Sequence, residues 1–132
     1  MTARAVVAVA AVLALAWLAV MERDTWLLDR GVRTAGRVHD AADAQRALAD
    51  FRGARLLNPD SAPDMGRAVV YRGTGRREDA VALVEQVLRR EPDNLTAWGQ
   101  LYGLSIGVDP AAERRALAAR ARLDPLNARS AR

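Results

Sequence analysis

The sequence predicts an all-α protein in which one N-terminal transmembrane helix precedes a stack of helix-turn-helix hairpins. Three observations support this prediction. Residues 5–21 form an apolar run without a charged residue. Pro59, Pro92 and Pro125 recur at intervals of 33 residues, which indicates an internal repeat. Aromatic residues make up only 5% of the chain and its apolar residues are mostly Ala, Leu and Val, a composition that favours helices over strands.

Length and composition exclude several classes of protein. A chain of 132 residues has room for one modest domain beside the apolar run, so a large enzyme core is not expected. The absence of cysteine excludes disulfides, thiolate metal sites, thiol nucleophiles and a lipoprotein attachment point. The net charge of +4 comes from arginines that are scattered among 16 acids without aromatic interleaving, so nucleic-acid binding is not expected.

The apolar run is predicted to be a membrane anchor over residues 1–21. Seventeen residues form a helix of about 25 Å, the short end of a membrane span. Arg4 precedes the run, whereas the charges after it, at Glu22, Arg23 and Asp24, show no positive excess. The positive-inside rule then places the N-terminus in the cytoplasm and the rest of the chain, beginning with a connecting segment over residues 22–39, on the outer side.

Two alternatives to an anchor share much of this pattern. A cleaved signal peptide has the same order of charge and apolar residues, and Ala14-Leu15-Ala16 has the small-x-small form of a cleavage site. However, this triplet lies inside the apolar run, with no polar segment before it. The other alternative is a buried core helix of a soluble protein. Trp17 and Trp26 fit the interfacial position of an anchor.

Amphipathic helices precede the recurring prolines within a predicted repeat domain over residues 40–127, which a frayed tail over residues 128–132 follows. Glu85 and Arg89 are spaced for an ion pair on the solvated face of one helix. Apolar residues with the helical spacing of three and four form one stripe before each of the first two prolines: Ala44, Ala47, Leu48 and Phe51, then Ala80, Leu83, Val84, Val87 and Leu88.

Capping residues indicate where the helices begin. Ser61-Ala62-Pro63-Asp64 has the spacing of a capping box. Asn94 is placed to cap a helix that begins near Leu95. Asp109 precedes Pro110, a proline suited to a first helical turn. Each unit is therefore predicted to consist of a helix, a short turn, a second helix and a turn that contains proline.

These units resemble the tetratricopeptide repeat (TPR) family, whose pattern is W-x2-L-G-x2-Y, then A-x3-F, a small residue and P. The resemblance implies a right-handed stack of hairpins. Departures from it are a poor match before His39 and a third unit that is one residue short. Ankyrin repeats have a similar length, but their Thr-Pro-Leu-His element is absent. The matching residues are Ala47, Phe51, Ala54 and Pro59, then Ala68, Tyr71, Ala80, Val84 and Pro92, and finally Trp98, Leu101 and Pro125.

The resemblance also implies a binding surface. Small residues let the two helices of a hairpin approach closely, and larger residues such as Phe51, Val84 or Tyr71 fill the adjoining gap. Phe51, Val84 and Leu117 are expected at the seams between helices. In this family the first helices of the units line a concave face that holds a peptide. No Lys or Asn occurs among the groove positions, so the family's two-cation carboxylate clamp is not predicted. Those positions are Met65, Val69 and Arg72, followed by Thr96, Gly99, Gly103 and Ile106.

Several residues that suggest other chemistry are better explained structurally. His39 is the only histidine, so a surface or capping role is expected rather than metal binding or catalysis. Gly73-Thr74-Gly75 lacks the Lys-Ser/Thr of a phosphate loop and is predicted to be a turn. Asp60 and Asp64 are predicted to stabilise a helix start. Gly99, Gly103 and Gly107 are expected on one helix face, packed against a neighbouring helix or a bound peptide. No catalytic residue, metal or cofactor is predicted.

The function predicted from these features is a non-catalytic scaffold or assembly factor that is tethered to the bacterial cytoplasmic membrane and binds a protein or peptide, in particular a membrane or envelope protein. The resemblance associates such proteins with cell-envelope and surface-polysaccharide machinery. One alternative is a secreted or periplasmic soluble TPR protein whose signal peptide has been cleaved. The other is an accessory subunit of a membrane enzyme.

Overall fold

The computed structural model describes residues 3–35, 40–55 and 60–126. Within these ranges the chain forms six α-helices and no strand, which confirms the all-α prediction. The helices are α1 (Ala3–Ala35), α2 (Ala41–Arg55), α3 (Ala62–Gly73), α4 (Arg77–Arg90), α5 (Leu95–Ser105) and α6 (Pro110–Leu123).

Helix α1 has two parts with different surroundings. Its 33 residues give it a length of about 50 Å, well beyond the roughly 30 Å hydrocarbon core of a bilayer. Residues 6–19 are exposed, and the segment Val6–Ala35 is long and apolar enough to cross a membrane. The helix does not end at residue 21, so residues 22–35, predicted to connect the anchor to the domain, continue the same helix.

The C-terminal part of α1 packs against α2. Arg30 Nε lies 3.2 Å from Asp50 Oδ2. The Phe51 ring lies against Gly31, and Leu27 lies against Gly53. Because later residues of α1 contact earlier residues of α2, the two helices run antiparallel.

Short turns make the remaining helices two further hairpins. Residues 74–76 join α3 to α4, and residues 106–109 join α5 to α6; each pair of helices packs together. Helices joined by so few residues run antiparallel. Gly75 and Gly107 have φ values of 75° and 71°, so a glycine suits each turn.

Two apolar clusters hold the helices together. The seam predictions are correct for Phe51 and Val84, which are fully buried, and wrong for Leu117, which is 43% exposed. On α6 the smaller Ala112 and Ala116 face the core instead. The smaller of the two apolar clusters, which we name the Phe51 cluster, contains Ala44, Ala47, Leu48, Phe51 and Val70. The main core contains Met65, Ala68, Ala80, Leu83, Val84, Val87, Leu88, Ala97, Leu101, Leu104 and Ala116.

Two of the three predicted helix caps are confirmed. The Asn94 side chain accepts a hydrogen bond from the Ala97 N–H. The Asp109 carboxylate accepts from the N–H groups of Ala111 and Ala112, and the Ala112 N–H in particular lowers the pKa of Asp109. The prediction for Ser61 is wrong, because its side chain makes no capping bond and donates to Glu91 instead.

The predicted ion pair within α4 is replaced by one between helices. Glu85 pairs with Arg115 of α6 rather than with Arg89. The Arg115 guanidinium also lies 6.0 Å from the centre of the Trp98 ring on α5. Arg115 therefore links α4, α5 and α6 at the surface.

Candidate functional site

The predicted repeat positions are mostly buried. Tyr71 and Trp98 are half-buried; Pro92 is exposed in the turn between α4 and α5, and Pro125 is exposed just after α6. Pro59 and His39 lie outside the described residues, as does the predicted tail over residues 128–132. The positions with no exposed surface are Ala47, Phe51, Ala54, Ala68, Ala80, Val84 and Leu101.

Helices α3 and α5 lie side by side in the same direction. Gln100 Nε2 of α5 is 3.4 Å from the Met65 carbonyl oxygen of α3. Seven residues later on α3 and three residues later on α5, a Cβ at Gly103 would lie 3.8 Å from Arg72 Nη1. The predicted groove positions on these two helices are therefore neighbours in space, at least at Arg72 and Gly103.

The other groove positions differ in how open they are. Thr96 and Ile106 are exposed, whereas Val69 and Gly99 are half-buried. Met65 is only 6% exposed and belongs to the main core, so its side chain does not line an open surface. We name the surface around Arg72, Gly99 and Gly103 the open face.

The glycines of α5 do not pack against another helix. A Cβ at Gly99 would meet nothing within 4 Å, and a Cβ at Gly103 would meet only Arg72. Gly107 lies after the helix, in the turn, and does not continue the row. Close packing between helices is therefore wrong as the reason for Gly99 and Gly103. What remains of the prediction is a row of two glycines on a surface open enough for a bound segment.

Arg72 provides a charge on this surface. It is exposed, and among the residues that the structure describes its guanidinium makes no hydrogen bond or ion pair. Most arginines in the described ranges have such a partner; the guanidinium of Arg76, for example, pairs with Asp79 at 2.7 Å. The open face thus combines a helix surface without projecting side chains, at Gly99 and Gly103, with the available guanidinium of Arg72.

A buried carboxylate that the sequence analysis assigned only to a helix start links three helices. Asp64 is 3% exposed and accepts from Arg55 of α2 at 3.1 Å, from Arg67 of α3 at 3.3 Å and from Arg90 of α4 at 2.7 Å. Arg55 and Arg90 each stand in the last turn of their helix. The sequence feature that could have indicated this cluster is the basic residue at the end of α2 and of α4, the second helix of each hairpin.

A second polar network lies beside the Asp64 cluster. Ser61 Oγ donates to Glu91 Oε2 at 2.8 Å, and Asn94 Nδ2 donates to both Ser61 Oγ at 3.0 Å and Glu91 Oε2 at 2.7 Å. Ser61 precedes α3, while Glu91 and Asn94 lie between α4 and α5. The network therefore fixes the start of α5 relative to the start of α3, which sets the geometry of the open face.

The residues considered for metal or phosphate binding form no such site within the described ranges. In those ranges no group of three His, Asp or Glu side chains is placed to hold a metal ion. Thr74 Oγ1 donates to the Val70 carbonyl oxygen at 3.0 Å, so the residues considered as a phosphate loop form a helix-terminating turn.

Comparison with known proteins adds no relative: no family model, no curated protein and no solved structure matches the chain.

Proposed function

We propose that this protein is a non-catalytic binding module held at the outer face of the bacterial cytoplasmic membrane, and that it captures a segment of a membrane or envelope protein on the open face. The single observation that carries the proposal is the available guanidinium of Arg72 beside Gly103, on a domain continuous with an exposed apolar helix.

The exposed part of α1 supports the anchor. None of the residues in its apolar window is buried in the domain, so this surface is free to meet lipid. Valine and leucine side chains that remain 54–67% exposed, among them Val9 and Leu15, each gain about 1.5–3 kcal/mol when they leave water completely. Trp17 and Trp26 are also exposed, at 63% and 53%, as interfacial tryptophans are.

The arrangement of the helices supports a TPR-like stack, which is part of the proposal. The prolines recur every 33 residues, and the small residues of the pattern have no exposed surface. The part of α1 beyond residue 21 serves as the first helix of the first hairpin, although the residues before His39 match the TPR pattern poorly. The helices α1, α3 and α5 would then line one side of the stack.

The chemistry of the open face favours a peptide that carries an acidic group. Glycines without a Cβ let a bound backbone approach α5 closely. An unpaired guanidinium presents a planar array of donors that suits a carboxylate. Ile106 lies directly after α5 and is 52% exposed, so it offers an apolar side chain to a bound segment. An extended or helical segment with one acid and one apolar side chain fits this surface.

A pair of double variants tests the binding surface. Arg72→Glu with Gly103→Leu is expected to reduce photocrosslinking from position 99 to a partner in native membranes by about tenfold. The first substitution reverses the charge, and the second places a bulky side chain where a bound segment would approach α5. Arg114→Glu with Ala118→Leu makes the same charge reversal and also introduces a leucine, on the exposed side of α6, and should leave crosslinking unchanged. Equal loss in both variants, or loss in neither, contradicts the assignment of the open face.

The intact mass of the protein distinguishes the anchor from a removable leader. A signal peptide shares the position and the apolar character of residues 5–21. We expect the mature protein to retain Met1 to Met21 and to resist extraction from membranes by alkaline carbonate. A shorter soluble form that lacks these residues would instead support the secreted alternative.

A further inference from the structure

The packing of the helices shows which end of the domain faces the membrane. Leu27 lies near the point where α1 leaves its apolar run, and it contacts Gly53, close to the end of α2. The ion pairs of Asp64 with Arg55 and Arg90 place the start of α3 and the end of α4 at the same level. Arg122 near the end of α6 lies there too, 3.0 Å from Asp93. We name this level the proximal end.

The proximal end is close to the lipid headgroups if α1 is inserted. Leu27 lies six positions after Met21, which corresponds to about 9 Å along the helix. The headgroup layer itself extends roughly 5–7 Å beyond the hydrocarbon core. The gap between the two is therefore shorter than the Debye length of about 8 Å at physiological ionic strength, so charges at this end act on the headgroups.

Arginines are concentrated at the proximal end. The last turns of α2, α4 and α6 all point there, and each contains two arginines. The first turns of the same helices contain acids and lie at the opposite, distal end. The six arginines of the last turns are Arg52, Arg55, Arg89, Arg90, Arg120 and Arg122.

Most acids at the proximal end are already engaged within the domain. Asp64 is buried among three arginines. Glu91 accepts from Ser61 and Asn94, and Asp93 pairs with Arg122. Asp60 accepts from the Ala62 N–H at 3.1 Å.

Three arginines at this end have no carboxylate among the described residues as a partner. Arg89 is exposed, and Arg52 donates to the Leu48 carbonyl oxygen. The Arg120 guanidinium lies 5.4 Å from the centre of the Tyr102 ring. Their charges remain available to an external anion.

We propose that the proximal end is a second membrane contact, in which Arg52, Arg89 and Arg120 bind the phosphate groups of anionic phospholipids around α1. The proposal rests on the proposed function, because it requires α1 to be inserted. The contact holds the domain against the bilayer surface, with its helices along the membrane normal and the open face turned sideways. A membrane-bound partner then meets the open face without leaving the lipid plane.

Single-cysteine labelling of the full chain tests the contact, since the chain has no cysteine of its own. A fluorophore is attached at Leu126→Cys, near the proximal end, or at Val108→Cys, in the distal α5–α6 turn; both positions are exposed, at 77% and 64%. The protein is reconstituted in phosphatidylcholine vesicles with or without about 30% phosphatidylglycerol, and with nitroxide-labelled headgroups as quenchers. We expect quenching at position 126 to be about twofold stronger in the anionic vesicles and to weaken with salt, while position 108 changes little.

Matched variants identify the arginines responsible. Replacing Arg52, Arg89 and Arg120 with glutamine should abolish the extra quenching at position 126. Replacing the distal Arg46, Arg76 and Arg114 with glutamine removes the same charge and should not. Equal quenching at both positions in anionic vesicles, or an equal effect of the two triple variants, would overturn the contact.

A flotation measurement separates this result from the proposed function. Carbonate-resistant flotation of every variant with the vesicles shows that α1 is inserted, so that absent quenching then contradicts the lipid contact alone. Loss of flotation by the unmodified chain contradicts the anchor and the contact together.

Discussion

Replacing Gly66 with alanine is expected to lower the free energy of unfolding by about 2 kcal/mol. A Cβ at Gly66 would lie 2.4 Å from Phe51 Cε1, far inside contact distance. The ring has little room to move away, because Gly31 also lies against it, and a Cβ added there would be only 2.8 Å from the same carbon atom. Alanine gains up to about 1 kcal/mol of helix propensity over glycine, which the clash outweighs. Urea unfolding in detergent, followed by far-ultraviolet circular dichroism, measures the change.

Gly99→Ala is the matched control, because its Cβ meets nothing within 4 Å. The same substitution should there stabilise the fold by about 0.5–1 kcal/mol through helix propensity. Adding Phe51→Leu to Gly66→Ala should recover part of the loss, since the smaller side chain vacates the space. A Gly66→Ala protein as stable as the Gly99→Ala protein would show that Phe51 is not held between the two glycines.

Asp64→Asn is the second substitution with a large expected effect, a loss of about 2 kcal/mol in the free energy of unfolding. The amide keeps the shape of the carboxylate but removes the negative charge that three guanidinium groups share. Removing one partner of a fully buried pair costs roughly 3–5 kcal/mol, and we discount this value because the arginine side chains are 24–35% exposed and water screens them.

Asp93→Asn provides the comparison at an exposed ion pair. Asp93 and Arg122 have side chains that are 71% and 63% exposed, so this substitution should change the free energy of unfolding by less than about 0.5 kcal/mol. Both variants are measured by the same urea unfolding at pH 7. Equal effects at Asp64 and Asp93 would contradict the role of Asp64 as the link between α2, α3 and α4.

The sequence was sufficient to predict the helices and most of the buried residues. The stripes ending in Phe51 and Leu88 carry the helical period, and every member of these stripes is buried. Asn94 and Asp109 were recognisable as caps because capping depends on residues within three positions along the chain. Features of this kind are local, so a single sequence is enough to reveal them.

Contacts between distant residues could not be predicted in the same way. The meeting of Arg55, Arg67 and Arg90 at Asp64 depends on how three helices pack. Leu117 was expected at a seam from its residue type, but the rotation of α6 places Ala116 there instead.

The surroundings of the glycines could not be predicted from the sequence either. Gly31 and Gly66 contact the Phe51 ring. Gly99 and Gly103, which are spaced to share a helix face, meet open space apart from Arg72. Spacing along a helix shows which residues share a face, but only the packing of the helices shows what that face meets.

The continuity of α1 has a consequence for the proposed function. An anchor joined to its domain by a flexible linker would leave the domain free to rotate, whereas one helix that runs from Ala3 to Ala35 and packs on α2 restricts its orientation. If α1 is inserted as proposed, the open face would thereby be held at a fixed height above the bilayer. Such a module suits a partner that is itself fixed in the membrane.

The position of α1 relative to the membrane is the most direct test of this account. Cysteine introduced at Leu15 or at Val32, both exposed side chains of α1, is treated with a membrane-impermeant maleimide in intact spheroplasts. The account predicts that position 15 is protected until the membrane is dissolved in detergent and that position 32 is labelled from outside. Equal labelling at the two positions in intact spheroplasts would contradict it.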